Sequence, residues 1–304
     1  MTTAKIAVIG LGSMGYGIAA SALKGGLVVH GFDVAKDAMD RFRAQGGAAG
    51  TLDSIAGDLA AVMVVVLNAA QTEDVLFGAK GIVPQMRPGS VAIACATVSP
   101  AFARQMEERC AEFGVHYLDA PISGGALKAA SGSLTVLASG TPAAFDAAEP
   151  ILAVTAEKVY RLGDHAGPGS AMKAVNQLLA GVHIATMAEA MTFGMTQGVS
   201  PEAFMEVIPQ CAGTSWMLEN RGPHIVEGDY TPRSSVNIWP KDLGIVLDIA
   251  RSAGFGAPLA AAAMQQFLAA AGSGLGQEDD AAVAKIYARN ANLKLPGHTG
   301  GGTE

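Results

Sequence analysis

The fold of the first half of this chain is decided near its start, by the stretch Lys5-Ile6-Ala7-Val8-Ile9-Gly10-Leu11-Gly12-Ser13-Met14-Gly15. Residues 5–9 form the short, mostly apolar run that is typical of a buried strand. Glycines at positions 10, 12 and 15 follow, and a helical pattern then extends to Lys24, where Gly25 and Gly26 end it. The stretch therefore predicts a strand, a glycine-rich turn and a helix, in that order.

The three glycines have the spacing of a phosphate-binding turn. Gly10 allows a tight turn, Gly12 lets backbone approach a pyrophosphate, and Gly15 permits close packing of the helix on the strand. The helix that follows points unpaired backbone N–H groups at the phosphates. We therefore expect a dinucleotide site formed by Gly10, Leu11, Gly12, Ser13, Met14 and Gly15. The alternative is a glycine-rich turn of an ordinary α/β protein.

An acid at the end of the second strand favours the dinucleotide site and indicates which cofactor it takes. The apolar run Leu27–Phe32 ends at Asp33, whose carboxylate can accept hydrogen bonds from ribose hydroxyls and would repel a 2′-phosphate. Val34 and Ala35 supply no arginine for such a phosphate, so NAD is favoured over NADP, although Lys36 is close. Asp33 is also a candidate helix N-cap.

The alternation of strand and helix continues through the first half. Further strand-like runs are Val62–Leu67, Val91–Cys95, Val115–Leu118, Leu134–Ala138 and Lys158–Leu162. Helical stretches lie between them, at Asp37–Ala44, Pro100–Phe113 and Ala143–Leu152. This order is the signature of a doubly wound parallel sheet of the α/β class.

After residue 165 the alternation of strand and helix patterns gives way to helical patterns alone. Ser170–Gln197 reads as one helix with no charge between Lys173 and Glu189, and the segments after it are also helical: Pro201–Cys211, Lys241–Ala253, Pro258–Ala271 and Asp279–Ala288. We therefore predict a dinucleotide-binding domain over residues 1–165, an all-α domain over 166–290, and a flexible tail over 291–304.

Composition excludes several classes of protein. The 304 residues are 50% hydrophobic and 15% charged, with a net charge of −7, which argues against nucleic-acid and anionic-membrane partners. Glycines and polar residues interrupt the apolar runs, so we expect neither a membrane span nor a signal peptide. The three cysteines and six histidines lack zinc or disulfide spacing. Reduced thiols, a cytoplasmic location and the absence of a metal are therefore expected.

A second glycine-rich loop, Asp119-Ala120-Pro121-Ile122-Ser123-Gly124-Gly125, comes directly after a strand. In a doubly wound sheet that end of a strand faces the ligand crevice. The Ser123 hydroxyl and the uncrowded N–H groups of Gly124 and Gly125 suit a carboxylate. An ordinary glycine-rich loop is the alternative.

Lys173 is the candidate acid/base. It stands on the apolar helix with Asn176 and Gln177 on the same face. Desolvation of a lysine lowers its pKa toward the range useful for proton transfer, although a lysine near a helix start also often reaches the surface. The chain has no tyrosine followed four residues later by lysine, no GxxxxGK[ST], no HExxH and no GxSxG.

Together these motifs resemble the β-hydroxyacid dehydrogenase family, which includes 3-hydroxyisobutyrate dehydrogenase and tartronate semialdehyde reductase. The resemblance rests on residues 10–15, on Asp119–Gly125, on Gly169 to Asn176 and on Lys241-Asp242-Leu243. It implies an N-terminal Rossmann domain joined by a long interdomain helix to an all-α C-terminal domain. It also implies a small hydroxy-acid substrate and a homodimer or homotetramer.

The same resemblance implies roles for individual residues. Lys173 would be the catalytic acid/base, Asn176 would orient it or the substrate, and the loop at 123–125 would hold the substrate carboxylate. Some members place the asparagine four residues after the lysine, where this chain has Gln177, so both amides remain candidates.

For the cofactor, the resemblance implies that Lys241 lies near the nicotinamide and the substrate, and that Asn68 and Thr97 line the cofactor groove. Three further stretches, Lys173–Ile184, Ser215–Arg221 and Gly228–Ser234, resemble the L-threonate dehydrogenase branch, which oxidises the C2 hydroxyl of a four-carbon sugar acid. The expected reaction is L-threonate to 2-dehydro-L-erythronate, with hydride passing to NAD. The alternatives are a 3-hydroxyisobutyrate dehydrogenase, a semialdehyde reductase, an imine reductase or a non-catalytic dinucleotide-binding module.

Overall fold

The computed structural model describes residues 4–297. The chain divides into two compact units, Met1–Lys173 and Ala174–Glu304. The division falls inside the long helix, a few residues after the boundary that the sequence predicts. Each unit has its own hydrophobic core.

A five-stranded parallel sheet with the order β2-β1-β3-β4-β5 forms the centre of the first unit. Its strands are β1 (Lys5–Ile9), β2 (Val28–Phe32), β3 (Ala61–Val64), β4 (Val91–Ala94) and β5 (His116–Asp119). Side chains of β1 alternate between two cores: Ile6 and Val8 pack on one face of the sheet, and Ala7 and Ile9 on the other. Both faces are therefore covered, which confirms the doubly wound sheet.

The last two predicted strands do not join this sheet. They form a separate three-stranded sheet of the order β6-β7-β8, made of β6 (Ile122–Ser123), β7 (Leu134–Ala138) and β8 (Ala156–Arg161). Two residues, Ala120 and Pro121, separate β5 from β6. The strand β6 pairs antiparallel with β7, and β7 pairs parallel with β8. The predicted strands at 134–138 and 158–162 therefore belong to the smaller sheet.

The helices of the first unit cover both sheets. They are α1 (Ser13–Lys24), α2 (Lys36–Ala44), α3 (Leu52–Ile55), α4 (Ala69–Phe77), α5 (Pro100–Ala111), α6 (Gly125–Ala130) and α7 (Pro142–Thr155). The helix α6 lies close against α1 because Gly17 has no side chain, and a Cβ there would lie 2.8 Å from the backbone nitrogen of Ala130. Ser21 of α1 also donates a hydrogen bond to the carbonyl of Ala129.

The second unit is built from helices. After α8 (Pro168–Thr196), which begins in the first unit, come α9 (Pro201–Val207), α10 (Trp216–Glu227), α11 (Ile238–Ser252), α12 (Pro258–Ala270) and α13 (Ala284–Asn290). Within the described part of this unit no strand occurs, which agrees with the predicted all-α domain. Trp239 and Phe267 stack in its core, with ring centroids 5.5 Å apart. In the predicted tail Leu295 is buried, and residues 298–304 lie outside the described residues.

The helix α8 is long and apolar enough to cross a membrane, by length and composition only. One such helix is weak evidence of a membrane span, because the core helix of a globular protein passes the same test. Ile184, Met187 and Met191 of α8 are buried in the helical core.

Candidate active site

The turn between β1 and α1 is built so tightly that two of its positions require glycine. Gly10 has a φ of +96°, and a Cβ there would lie 2.2 Å from the carbonyl oxygen of Val65. A Cβ at Gly15 would lie 1.8 Å from the carbonyl oxygen of Gly10. Real Cβ atoms essentially never approach other atoms this closely, so the turn keeps its shape only with glycine at both positions.

Gly12 is different, because a Cβ added there meets no atom within 4 Å. Gly12 is the N-cap of α1, and no side chain of the described residues caps this end of the helix. The first hydrogen bond of the helix runs from the Tyr16 N–H to the Gly12 carbonyl, which leaves the N–H groups of Ser13 and Met14 at the open end. Open space beside an uncapped helix N-terminus fits the pyrophosphate of a dinucleotide.

Asp33 ties the end of β2 to this turn. One carboxylate oxygen accepts a hydrogen bond from the Leu11 N–H at 2.6 Å, and the other accepts one from the Ala35 N–H at 2.8 Å. The N-cap of α2 is Ala35, so Asp33 is not the helix N-cap. The nearby Lys36 forms an ion pair with Asp40 on the same helix.

The other two predicted cofactor residues follow the strands next to β1. Asn68 comes after β3, and its side chain caps α4 by accepting a hydrogen bond from the Gln71 N–H at 2.9 Å. Thr97 lies half-buried between β4 and α5. Because parallel strands end at the same edge of a sheet, Asn68, Thr97, Asp33 and the Gly10–Gly15 turn share one edge.

A cavity of about 370 Å³ opens beside the end of β1. Its lining residues are Ile9, Leu52, Asp74, Val75, Ala79 and Lys80.

The structure brings Lys173 to the second glycine-rich loop. Its Nζ atom donates a hydrogen bond to the carbonyl oxygen of Ile122 at 3.0 Å, and the residue is buried. Ser123 follows Ile122 directly, and Gly124 and Gly125 both have positive φ angles, of +131° and +73°. The Nζ atom of Lys173 therefore lies beside the loop and does not reach into solvent.

Asp119 is a residue of this region for which the sequence predicts no role of its own. It lies at the end of β5, is buried, and accepts four hydrogen bonds from two segments. The Gly167 N–H donates at 3.0 Å, the Ser170 N–H at 2.8 Å and the Ser170 hydroxyl at 2.6 Å, and Ser139 donates at 3.1 Å. Burial raises the pKa of Asp119, and these hydrogen bonds oppose that rise. The carboxylate thus fixes the first turn of the helix that carries Lys173.

The predicted residues of the second unit form a continuous polar chain. Asn176 is exposed, and its Nδ2 donates to Oε1 of the buried Gln177 at 2.9 Å. The Nε2 of Gln177 donates to Oδ2 of the buried Asp242 at 2.5 Å, and Lys241 forms an ion pair with the other oxygen of Asp242. No role for Asp242 is predicted from the sequence, because nothing in its spacing indicates this contact.

Within residues 4–297 no group of three or more His, Cys, Asp or Glu side chains has the arrangement of a metal site.

Two family models match the chain. A family described as the NAD binding domain of 6-phosphogluconate dehydrogenase matches residues 5–163. A family described as the NAD-binding of NADP-dependent 3-hydroxyisobutyrate dehydrogenase matches residues 167–287. The chain is thus matched over both of its units.

Individual relatives of the chain are hydroxyacid dehydrogenases. The chain is 51% identical to the L-threonate dehydrogenase of Cupriavidus necator, over 96% of this chain and 98% of that protein. It is 34% identical to the 3-hydroxyisobutyrate dehydrogenase of Pseudomonas aeruginosa, over 86% of this chain and 90% of that protein. The crystal structure of a 3-hydroxyisobutyrate dehydrogenase from Salmonella typhimurium matches with a TM-score of 0.87 and 45% identity, covering 93% of this chain and 99% of that chain. The chain therefore belongs to the 3-hydroxyisobutyrate dehydrogenase-like family of hydroxyacid dehydrogenases, enzymes that act on a CH–OH group with a nicotinamide dinucleotide.

Proposed function

We propose that this enzyme oxidises L-threonate to 2-dehydro-L-erythronate with NAD. The observation that carries the proposal is the hydrogen bond from Lys173 to the Ile122 carbonyl, since it holds an amine next to a loop suited to a carboxylate. The identity of the substrate is supported by the L-threonate dehydrogenases of Cupriavidus necator and Escherichia coli K12, at 51% and 44% identity over almost the whole chain.

Each residue of the proposed site has its own role in binding or proton transfer. The Ser123 hydroxyl and the N–H groups of Gly124 and Gly125 hold the substrate carboxylate, which places the carbon that bears the reacting hydroxyl at a fixed distance from Lys173. Lys173, neutral at this stage, accepts the hydroxyl proton on Nζ as the C–H bond breaks. The bound nicotinamide supplies the hydride acceptor at its C4 atom. Asn176, one helical turn after Lys173, assists on the substrate side.

Lys241 is proposed to lie near the nicotinamide, and Asn68 and Thr97 along the cofactor groove. Asp33 supports NAD over NADP, because its carboxylate would repel a 2′-phosphate. The lysine that left this choice open in the sequence, Lys36, is paired with Asp40. Residues 34 and 35 offer no positive charge in its place.

The setting of the enzyme is also a proposal. Cys95 and Cys110 are buried free thiols, which supports a reducing cytoplasm. Val175, Leu179 and Phe193 on α8 are large apolar side chains that remain exposed in the single chain. Such side chains support a homodimer or homotetramer. The net charge of −7 argues against a nucleic-acid or anionic-membrane partner.

A second candidate substrate is favoured by a specific comparison, since the Salmonella typhimurium structure at 45% identity is described as a 3-hydroxyisobutyrate dehydrogenase. Tartronate semialdehyde reduction is a further alternative. A non-catalytic dinucleotide-binding module is the rival of another class, and a buried lysine beside the substrate loop counts against it.

A substrate panel tests the proposal. NADH formation is followed with L-threonate, D-threonate, the erythronates, glycerate and 3-hydroxyisobutyrate, each with NAD and with NADP. We expect the highest kcat/KM for L-threonate with NAD. A higher kcat/KM for 3-hydroxyisobutyrate would assign that acid as the substrate in place of L-threonate. Tight NADH binding without turnover of any acid would support the non-catalytic module.

A further inference from the structure

The hydrogen bonds that link Asn176, Gln177 and Asp242 all run in one direction from donor to acceptor, because the Asp242 carboxylate at the end of the series can only accept. Asp242 is buried, and its two oxygens can only accept hydrogen bonds while Lys241 is paired with it. A side-chain amide that meets a carboxylate must therefore offer its NH₂ group. Gln177 does so, with Nε2 at 2.5 Å from Oδ2 of Asp242.

The orientation passes from one amide to the next. With Nε2 turned to Asp242, Gln177 offers only its Oε1 atom to its other neighbour. Asn176 meets that oxygen with Nδ2, at 2.9 Å. The remaining end of the Asn176 amide is Oδ1, which accepts hydrogen bonds and donates none.

The burial of these residues separates the two amides that the sequence leaves as alternatives. Gln177 is buried and both ends of its amide are engaged, whereas Asn176 is exposed. Asn176 is therefore the amide that faces outward, and Gln177 transmits the orientation imposed by Asp242.

We propose that Asp242 is a positioning residue: it turns Asn176 Oδ1 outward as an acceptor for the terminal hydroxyl of a polyhydroxylated acid. The proposal rests on the proposed function for the position of the substrate. Asn176 lies three residues after Lys173 on α8, about 4.5 Å along the helix axis. In the proposed function the substrate carboxylate lies at the 123–125 loop and its reacting hydroxyl at Lys173. A residue on the same face of α8, one turn further along, is then placed toward the opposite end of the substrate. An acceptor there selects a hydroxymethyl end and rejects a second carboxylate.

The substitution Asp242→Asn should reverse the orientation of the two side-chain amides, those of Gln177 and Asn176. Lys241 still needs an acceptor, so it holds the carbonyl of the new amide and turns the amide nitrogen toward Gln177. Gln177 must then present Oε1 to position 242 and its NH₂ to Asn176. Asn176 would in turn present its NH₂ outward, and the site would favour a carboxylate where it had favoured a hydroxyl.

The experiment compares L-threonate with L-tartrate, which carries a carboxylate in place of the terminal hydroxymethyl group. The readout is the ratio of the two kcat/KM values, so any general loss of activity cancels. We expect the preference of the wild type for L-threonate to fall at least about tenfold in Asp242→Asn, as for the exchange of one hydrogen bond. An equal loss for both acids, with the ratio of the wild type, would mean that Asp242 is merely structural and would overturn the proposal.

A second variant separates the amide chain from the charge of Asp242. Gln177→Met keeps the buried volume and the Lys241–Asp242 pair but cannot pass on an orientation. In the Gln177→Met background, Asp242→Asn should therefore change the ratio by less than about threefold. The same change with and without Gln177 would assign the effect to charge alone and overturn the proposal.

The wild type distinguishes this outcome from a failure of the proposed function. If it does not oxidise L-threonate, the substrate assignment fails, and the ratio is measured for the panel acid with the highest kcat/KM and its carboxylate-ended analogue. If that acid has no hydroxyl beyond the reacting one, the orientation proposal fails as well. Thermal unfolding of each variant shows whether the fold is kept.

Discussion

The same substitution at two glycines of the phosphate-binding turn should have opposite effects on stability and on binding. At Gly12, φ is −67° and a Cβ would enter open space, so Gly12→Ala fits the free protein. At Gly15, a Cβ would lie 1.8 Å from the Gly10 carbonyl oxygen. Both partners of that contact are backbone, so relief requires the turn itself to move.

The expected magnitudes follow from these contacts. Gly12→Ala should change the free energy of unfolding by less than ~1 kcal/mol, because its backbone conformation is open to alanine. Gly15→Ala should destabilise by ~3 kcal/mol or more, at or above the upper range for overpacking. Since ~1 kcal/mol shifts Tm by about 2–4 °C in a domain of this size, Gly15→Ala should lower Tm by about 6 °C or more.

Cofactor binding gives the complementary result. A methyl group at position 12 would occupy the space assigned to the pyrophosphate and displace charge-assisted hydrogen bonds worth ~1.5–3 kcal/mol, a loss of about 10- to 100-fold in affinity. The assays are thermal unfolding without cofactor and titration of NADH by fluorescence. Gly12→Ala with the NADH affinity of the wild type would refute the assignment of that space, and Gly15→Ala with the Tm of the wild type would refute the packing argument.

Three further predictions concern single side chains. Asp33→Ala should reduce the kcat/KM preference for NAD over NADP at least about tenfold, with the exposed neighbour Val34→Ala as the control, and an unchanged preference would show that Asp33 does not set it. Asp119→Ala should lower the free energy of unfolding by ~2–6 kcal/mol in urea titrations, because it leaves two buried N–H groups without an acceptor. A loss below ~1 kcal/mol would contradict the role of Asp119 in fixing the first turn of α8. In mildly alkaline buffer one thiol per chain, that of the exposed Cys211, should react rapidly with a thiol reagent. The other two should not, because burial raises the pKa of Cys110 to about 12 and that of Cys95 further. Fast modification that persists in Cys211→Ser would be inconsistent with this prediction.

Much of the first unit can be predicted from the sequence because its strands are buried on both faces. Such strands appear as short apolar runs between glycine-rich turns, and the bounds of β1 and β7 coincide with their predicted runs. The glycine pattern is informative for a different reason. Gly10 and Gly15 are required by close backbone contacts, and Gly12 leaves open space at the start of α1.

Four helices were not predicted from the sequence, each for a local reason. The helix α3 has only four residues, too few to show a periodic apolar pattern. The helix α4 lacks a strong apolar stripe, and its start is fixed by the Asn68 cap. The helix α6 has only six residues and follows a glycine with positive φ. The helix α10 contains Pro223, which normally interrupts a helical pattern.

The polar contacts of the site were not predictable because their partners are distant in sequence. Asp119 meets Ser170, and Gln177 meets Asp242, only after the chain has folded. The apolar pattern indicates that an acid ends a strand, but it does not indicate which donors surround it. From the sequence, Lys173 and its neighbours are therefore candidates by residue type, whereas the orientation of the amides required the structure.

The role of Lys173 is tested most directly by the rate of NADH formation in a single turnover of Lys173→Ala with L-threonate and saturating NAD. With the proton acceptor removed, this rate should fall at least about 100-fold, while the dissociation constant of NADH stays within about threefold of that of the wild type. A single-turnover rate within about threefold of the wild type would contradict the assignment of Lys173 as the group that accepts the hydroxyl proton.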